Sequence, residues 1–208
     1  MSGAVRVAVL DTETTGLYPA SDRIIEIAVV LLEVDCATGQ TLREMDRYQA
    51  LQDPGRPIPW AALAVHGITD AMVRGQHIDA ERVRQLLASA DLLVAHNSGF
   101  DKGFVAQIVP EVCQMSWACS CRGIPWRSLF SHLPNAKLQD LANAFGVTKG
   151  TAHRALGDVE TTLALLNQVM PGASMTLLGH LIAKKFVPET LRKERLAKRS
   201  AKPFTTFP

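Results

Sequence analysis

Residues 23–34 run Arg-Ile-Ile-Glu-Ile-Ala-Val-Val-Leu-Leu-Glu-Val, a long β-branched stretch that commits the chain to a sheet. Residues 5–10 precede it as a shorter strand, with Val5, Val7 and Val9 pointing to one side. After the turn Cys36-Ala37-Thr38-Gly39-Gln40, residues 41–51 return as a third strand, which makes an antiparallel meander. The three prolines of Asp53-Pro54-Gly55-Arg56-Pro57-Ile58-Pro59 forbid regular structure. A short helix is expected over 60–65, stopped at His66-Gly67, with Thr69-Asp70 capping the next turn. From there helices and strands alternate. Residues 79–89 form a helix with Val83, Leu86 and Leu87 inward, and residues 91–95 a buried parallel strand. A helix carrying Phe104, Val105 and Ile108 follows, ended by Pro110, and then a strand over 117–120. Helices over 136–145 and 154–170 complete the body, the last with an apolar stripe of Leu156, Val159, Leu163, Leu166 and Met170. The expected class is α/β: a mixed central sheet, meander plus parallel strands, with helices on both faces.

The 208 residues suit one domain with an appendage, a body over 1–172 and a basic, partly helical tail over 173–208. Residues 184–208 hold eight Lys or Arg against two acids, while the rest holds fourteen basic and eighteen acidic residues. An acidic body with a basic tail suggests a polyanionic partner. Small helices are expected over 174–186 and 188–199, the second serving as a phosphate-binding arm or a docking helix for another protein. No apolar run reaches the ~18 residues that span a bilayer, and the start lacks the pattern of a signal peptide. Cys119-Ser120-Cys121 is too tight for a usual zinc knuckle, so the four cysteines read as reduced thiols of a cytoplasmic protein.

Asp11 and Glu13 continue the alternation of the first strand and emerge side by side where it is expected to end, with Thr14-Thr15-Gly16 turning the chain away. Alone, such a pair is an exposed polar turn. Later acids change the reading. Asp101 follows a parallel strand, and taken alone it reads as an acid favouring a helix N-terminus. Asp158 lies one position from the apolar stripe, and an inward acid is costly unless it is paired or binds a metal. In mixed sheets such strand ends build sites. Four carboxylates without clustered His or Cys suit Mg²⁺ or Mn²⁺. Two such ions about 4 Å apart can clamp the attacking and leaving oxygens of a phosphodiester. His153, placed on the loop entering the last helix, could take the proton from the attacking water.

The motifs Asp-Thr-Glu-Thr-Thr-Gly, His-Asn-x-x-Phe-Asp and His-Arg-Ala-Leu-x-Asp, in that order, resemble those of the DEDDh 3′–5′ exonucleases. That family includes the proofreading epsilon subunit of DNA polymerase III, ribonuclease T, oligoribonuclease and exonuclease X. Ile58-Pro59 and Val65-His66-Gly67-Ile68-Thr69 are similar to a segment of epsilon-like members, and the resemblance covers residues 5 to about 170. It implies a ribonuclease H-like fold, Asp11, Glu13, Asp101 and Asp158 as ligands of two divalent ions, and His153 as general base. Thr14, Thr15, Gly16 and Leu17 would border the 3′-terminal nucleotide. His66 and Asn97 would lie near it, unless they serve only as a helix stop and a turn. The epsilon-like segment favours single-stranded DNA, with RNA trimming or a non-catalytic nucleic-acid-binding module as alternatives, and a polymerase as a possible partner through the tail. A glycosidase fits less well, since four acids converge where that chemistry needs two.

Overall fold

The computed structural model describes residues 3–147 and 151–186. Five strands form one sheet in the order β3-β2-β1-β4-β5. They are β1 (Ala4–Thr14), β2 (Ile24–Asp35), β3 (Thr41–Leu51), β4 (Leu92–Ala95) and β5 (Trp117–Cys119). The first three pair antiparallel, while β4 adds parallel to β1 and β5 parallel to β4. Alternating side chains divide the core between the two faces. Val5, Val7 and Val9 join Ala28, Val30 and Leu32 on one face, and Ala8 and Leu10 join Ile27, Val29 and Leu31 on the other. Strand β2 reads as a nearly unbroken apolar run because both its faces are covered.

The helices are α1 (Trp60–His66), α2 (Asp70–Val73), α3 (Ala80–Ala88), α4 (Ser98–Val105), α5 (Ser120–Gly123), α6 (Trp126–Leu129), α7 (Leu138–Phe145), α8 (Ala155–Leu166) and α9 (Leu177–Lys185). Local signals place most of their ends. Thr69 and Asp79 accept backbone N–H bonds as N-caps of α2 and α3, and Gly67 and Gly146 close α1 and α7 in the left-handed conformation. Helix α3 buries Val83, Leu86 and Leu87 on one face of the sheet, while α8 and α9 cover the other.

Four expectations need correction. Strand β1 does not end at residue 10: its ladder with β2 runs on to Glu13 opposite Glu26, so Asp11 and Glu13 sit on the strand itself. The long apolar β2 supplies partners that outweigh the turn-forming sequence after them. Helix α4 stops at Val105, and Pro110 begins a separate 3-10 helix, Pro110–Gln114. Short helices α5 and α6 were not foreseen. The last body helix runs only Ala155–Leu166 and is rotated: Ala155, Asp158, Val159, Thr162 and Leu166 are buried, while Leu156 and Leu163 are half-buried. The small helix expected over 174–186 is α9, and its Leu177, Leu178, Leu181 and Ile182 enter the α8-side core. The helix expected over 188–199 lies outside the described residues. No helix among the described residues is long and apolar enough to cross a membrane.

Candidate active site

The site begins with a mismatch in strand length. Strand β4 pairs with β1 only along Val7–Val9, so β1 runs beyond it, and Asp11 and Glu13 project past the end of their parallel neighbour. Both continue the odd-numbered face that α8 covers. Asp158, on the first turn of α8, is turned inward and only 8% exposed. One carboxylate oxygen from each of Asp11, Glu13 and Asp158 lies within 4.8 Å of the others. Asp101, in the first turn of α4, is 2% exposed and stands outside this trio. Its carboxylate accepts a hydrogen bond from the Thr12 hydroxyl at 3.1 Å.

Burial disfavours ionisation of all four acids, and at Asp11 and Glu13 the neighbouring carboxylates add to it. Burial, and then the charges of Asp101, Glu13 and Asp158, raise the Asp11 carboxyl well above its ordinary range. Burial followed by the charge of Asp158 raises Glu13 to about 8. Burial raises Asp101 to about 7 against the Thr12 hydrogen bond. Asp158 is also raised by burial, while His153 and the Gln139 amide, which donates to it at 3.0 Å, oppose the shift. Converging oxygen donors that hold protons near neutrality fit hard divalent cations, which would displace those protons. These residues therefore suit the two Mg²⁺ or Mn²⁺ ions that the sequence implies.

This arrangement sets the sign of a pH effect. In the metal-free protein, folded Glu13 keeps its proton up to about pH 8, while the unfolded carboxyl releases it near 4.5. Stability is therefore full below the lower value and is lost as pH rises through the upper one. Thermal melts in EDTA should fall by roughly 5–10 °C between about pH 5 and about pH 8.5, and Mn²⁺ should restore the loss at the alkaline end. A flat or rising melting temperature in EDTA across that window would contradict this account.

His153 is exposed, on the short segment entering α8, with φ of 57°, the left-handed region. It lines a cleft of about 370 Å³ with Lys137, Leu138, Gln139, Asp140 and Asp158. Gly157 lets this segment approach: a Cβ there would stand 2.1 Å from the Thr151 carbonyl oxygen. His66, the last residue of α1, is 6% exposed. Its Nδ1 accepts from the Ile68 N–H at 2.9 Å, and burial lowers its pKa while the Thr14 backbone opposes this. Thr14 and Thr15 are buried, and their hydroxyls serve the loop itself. Thr14 donates to the Gly16 carbonyl, and the Thr15 hydroxyl accepts from the Arg23 N–H and the Arg56 guanidinium. A Cβ on Gly16 would meet the Asp22 carboxylate at 2.5 Å. Leu17 is 71% exposed. Asn97, exposed at the start of α4, lines an adjoining cleft with His96, Cys121 and Arg122, and Lys137 and Leu138 border both clefts.

Sequence reasoning missed three supports. Thr12 holds Asp101 and Gln139 holds Asp158. Arg154, four residues before Asp158 and so a natural ion-pair candidate for it, instead grips Glu26 with a 2.7 Å contact. The available signal was a lone charge inside the apolar run Ile24-Ile25-Glu26-Ile27.

A family model for exonucleases, that of the RNase T family, matches residues 8–166. The chain belongs to this exonuclease family. The "DNA polymerase III PolC-type" protein of Listeria welshimeri is 35% identical over 161 residues, 76% of this chain and 11% of that protein. A "DNA polymerase III subunit epsilon-like protein" of Rhodobacter capsulatus is 44% identical over 100 residues, 47% of this chain and 14% of that protein. The exonuclease chain thus spans only a small part of these relatives' length. Among solved structures, exonuclease X in complex with 5′ overhanging duplex DNA superposes with TM-score 0.61 at 27% identity, covering 86% of this chain and 98% of that one. Escherichia coli exonuclease I in complex with a dT13 oligonucleotide gives 0.64 at 18% identity, over 91% of this chain and 43% of that one, a likeness of fold alone. The fold of this family member is the ribonuclease H-like arrangement expected from the motifs.

Proposed function

We propose that the chain is a metal-dependent 3′–5′ exonuclease that removes nucleoside 5′-monophosphates from the 3′ end of single-stranded DNA. The observation that carries this reading is the meeting of the Asp11, Glu13 and Asp158 oxygens within 4.8 Å at the overhanging end of β1. Asp101 completes the ligand set for two Mg²⁺ or Mn²⁺ ions. When bound, such ions supply Lewis-acid stabilisation of the attacking and leaving oxygens. The residues of the chain do the rest. Gln139 steadies one oxygen of Asp158. His153, at the mouth of the cleft, accepts the proton of the attacking water. The Thr14–Gly16 backbone, exposed Leu17, and His66 and Asn97 would receive the terminal nucleotide. With the threonine hydroxyls engaged internally, the contribution of Thr14 and Thr15 is through their backbone.

The choice of DNA rests on relatives named as DNA polymerase III proteins and on structural neighbours solved with DNA. A polymerase partner reached through residues 173–208 belongs to the same reading. So does a cytoplasmic setting, with the four cysteines as free thiols. The test is hydrolysis of matched 3′-labelled and 5′-labelled single-stranded DNA and RNA oligonucleotides with Mg²⁺, Mn²⁺ or EDTA. The expected result is metal-dependent release of mononucleotides from the 3′ end, faster on DNA. A higher rate on RNA would move the substrate to RNA, and binding without cleavage in any metal would refute the enzyme.

A further inference from the structure

Glu26 is a carboxylate near the start of β2 with no exposed surface, and the hydrogen bonds it accepts tie it to the segment that carries His153 and to Gln49. Its Oε1 accepts from Arg154 Nη2 at 2.7 Å and from Gln49 Nε2 at 3.0 Å. Its Oε2 accepts from Arg154 Nε and from the Ala155 backbone N–H, both at 3.0 Å. The guanidinium fork is thus bidentate. Arg154 is the N-cap residue of α8 but makes no capping bond with its own side chain. Glu26 caps the helix from another strand by taking the Ala155 N–H, one of the donors a helix start leaves unsatisfied.

This places His153 between two anchors. On one side the Thr151 backbone is pressed against Gly157, where no side chain would fit. On the other, Arg154 is fixed to the sheet. Between them His153 adopts φ of 57°, a conformation costly for a residue with a Cβ and kept only where the surroundings impose it. Glu26 is also the register partner of Glu13 across the β1–β2 ladder. The anchor of the histidine segment and a carboxylate of the site therefore share one rung of the sheet.

We propose that Glu26 and Arg154 are positioning residues, a buried ion pair that sets where the His153 imidazole stands over the carboxylate cluster. The inference rests on the reading of His153 as general base. A misplacement of about 1 Å can cost on the order of 10²-fold in rate. Arg154→Met should accordingly lower kcat about 10²-fold, while KM for a single-stranded oligodeoxynucleotide and the Kd for Mn²⁺ by calorimetry stay within about threefold. Arg154→Lys keeps the charge but loses the fork, and should recover only part of the rate. Arg154→Met leaves Glu26 bare and could unfold the protein, so the paired variant Glu26→Met with Arg154→Met is made alongside. An apolar pair of that kind is commonly as stable as the ion pair it replaces, and it should fold yet keep the kcat defect.

The discriminating readout is non-additivity. In a His153→Asn background, Arg154→Met should lower kcat no further, because it acts through a base already removed. A further fall in that background, a rise in KM alone, or full kcat in the paired variant would overturn the inference while leaving the exonuclease reading intact. An inactive parent, or parental kcat in His153→Asn, would sink the reading of His153 and this inference with it.

Discussion

Asp11→Asn should lower metal-dependent nucleotide release by on the order of 10³-fold or more, and the same variant should melt at a higher temperature than the parent in EDTA. The first effect follows from the proposed role of Asp11 as a metal ligand. A divalent ion contributes several kcal/mol of charge stabilisation to the transition state, and each factor of ten in rate is about 1.4 kcal/mol. The second follows from what surrounds Asp11 when no cation is bound. Burial and the charges of Asp101, Glu13, Asp158 and Glu26 all disfavour its carboxylate. An amide keeps the shape and needs no proton, so the variant is spared the cost of folding with a protonated carboxyl that the unfolded chain leaves ionised. Stability and activity should therefore move in opposite directions, as they do where a site is held together against its own electrostatics. Melting in EDTA, Mn²⁺ titration by calorimetry and initial rates on labelled single-stranded DNA check the three parts. If the variant melts lower in EDTA while losing activity, Asp11 supports the fold rather than a metal. If it keeps its activity, the ligand assignment is wrong.

The same contrast explains what could be read from the residues in advance. Strand β2 was legible because its long run of β-branched and apolar residues, broken only by Glu26 and Glu33 before the closing Asp35, leaves no other choice, and α3 because Asp79 caps it and Val83, Leu86 and Leu87 fall at helical spacing. The end of β1 was not. Thr14-Thr15-Gly16 carries turn chemistry, yet β2 continues the ladder opposite Glu13, and pairing outweighed the local signal. Periodicity misplaced the buried face of α8 because that helix lies against two strands and buries small and polar residues there, Gly157, Thr161 and Thr162 among them. Motif spacing singled out the four acids and His153, but it could not tell that Thr12 hydrogen-bonds Asp101 while one oxygen each of Asp11, Glu13 and Asp158 lies within 4.8 Å of the others. Nor could it find Glu26 and Arg154, 128 positions apart, which meet only once the sheet and α8 are packed.

Replacing His153 should separate chemistry from metal binding. His153→Asn is the cleaner variant than His153→Ala, since the residue sits at φ of 57° and Asn tolerates the left-handed region where Ala is strained. Asn cannot take up a proton as imidazole does, so kcat should fall by about 10²- to 10⁴-fold, the usual contribution of a positioned base. The side chain is exposed at the mouth of its cleft, so the melting temperature should hold and Mn²⁺ should bind as in the parent. Added imidazole should recover part of the rate through the open side of that cleft. The pattern is the reverse of that expected for Asp11→Asn, which loses the metal and gains stability. Should His153→Asn weaken Mn²⁺ binding as much as Asp11→Asn does, His153 would be a ligand or a support of the cluster. The attacking water would then have to give up its proton elsewhere, and among the described residues the cleft offers only Asp140 and Lys137 as further titratable groups beside Asp158. A variant with wild-type metal affinity, an intact fold and a rate that imidazole restores would leave proton transfer as the role of this loop.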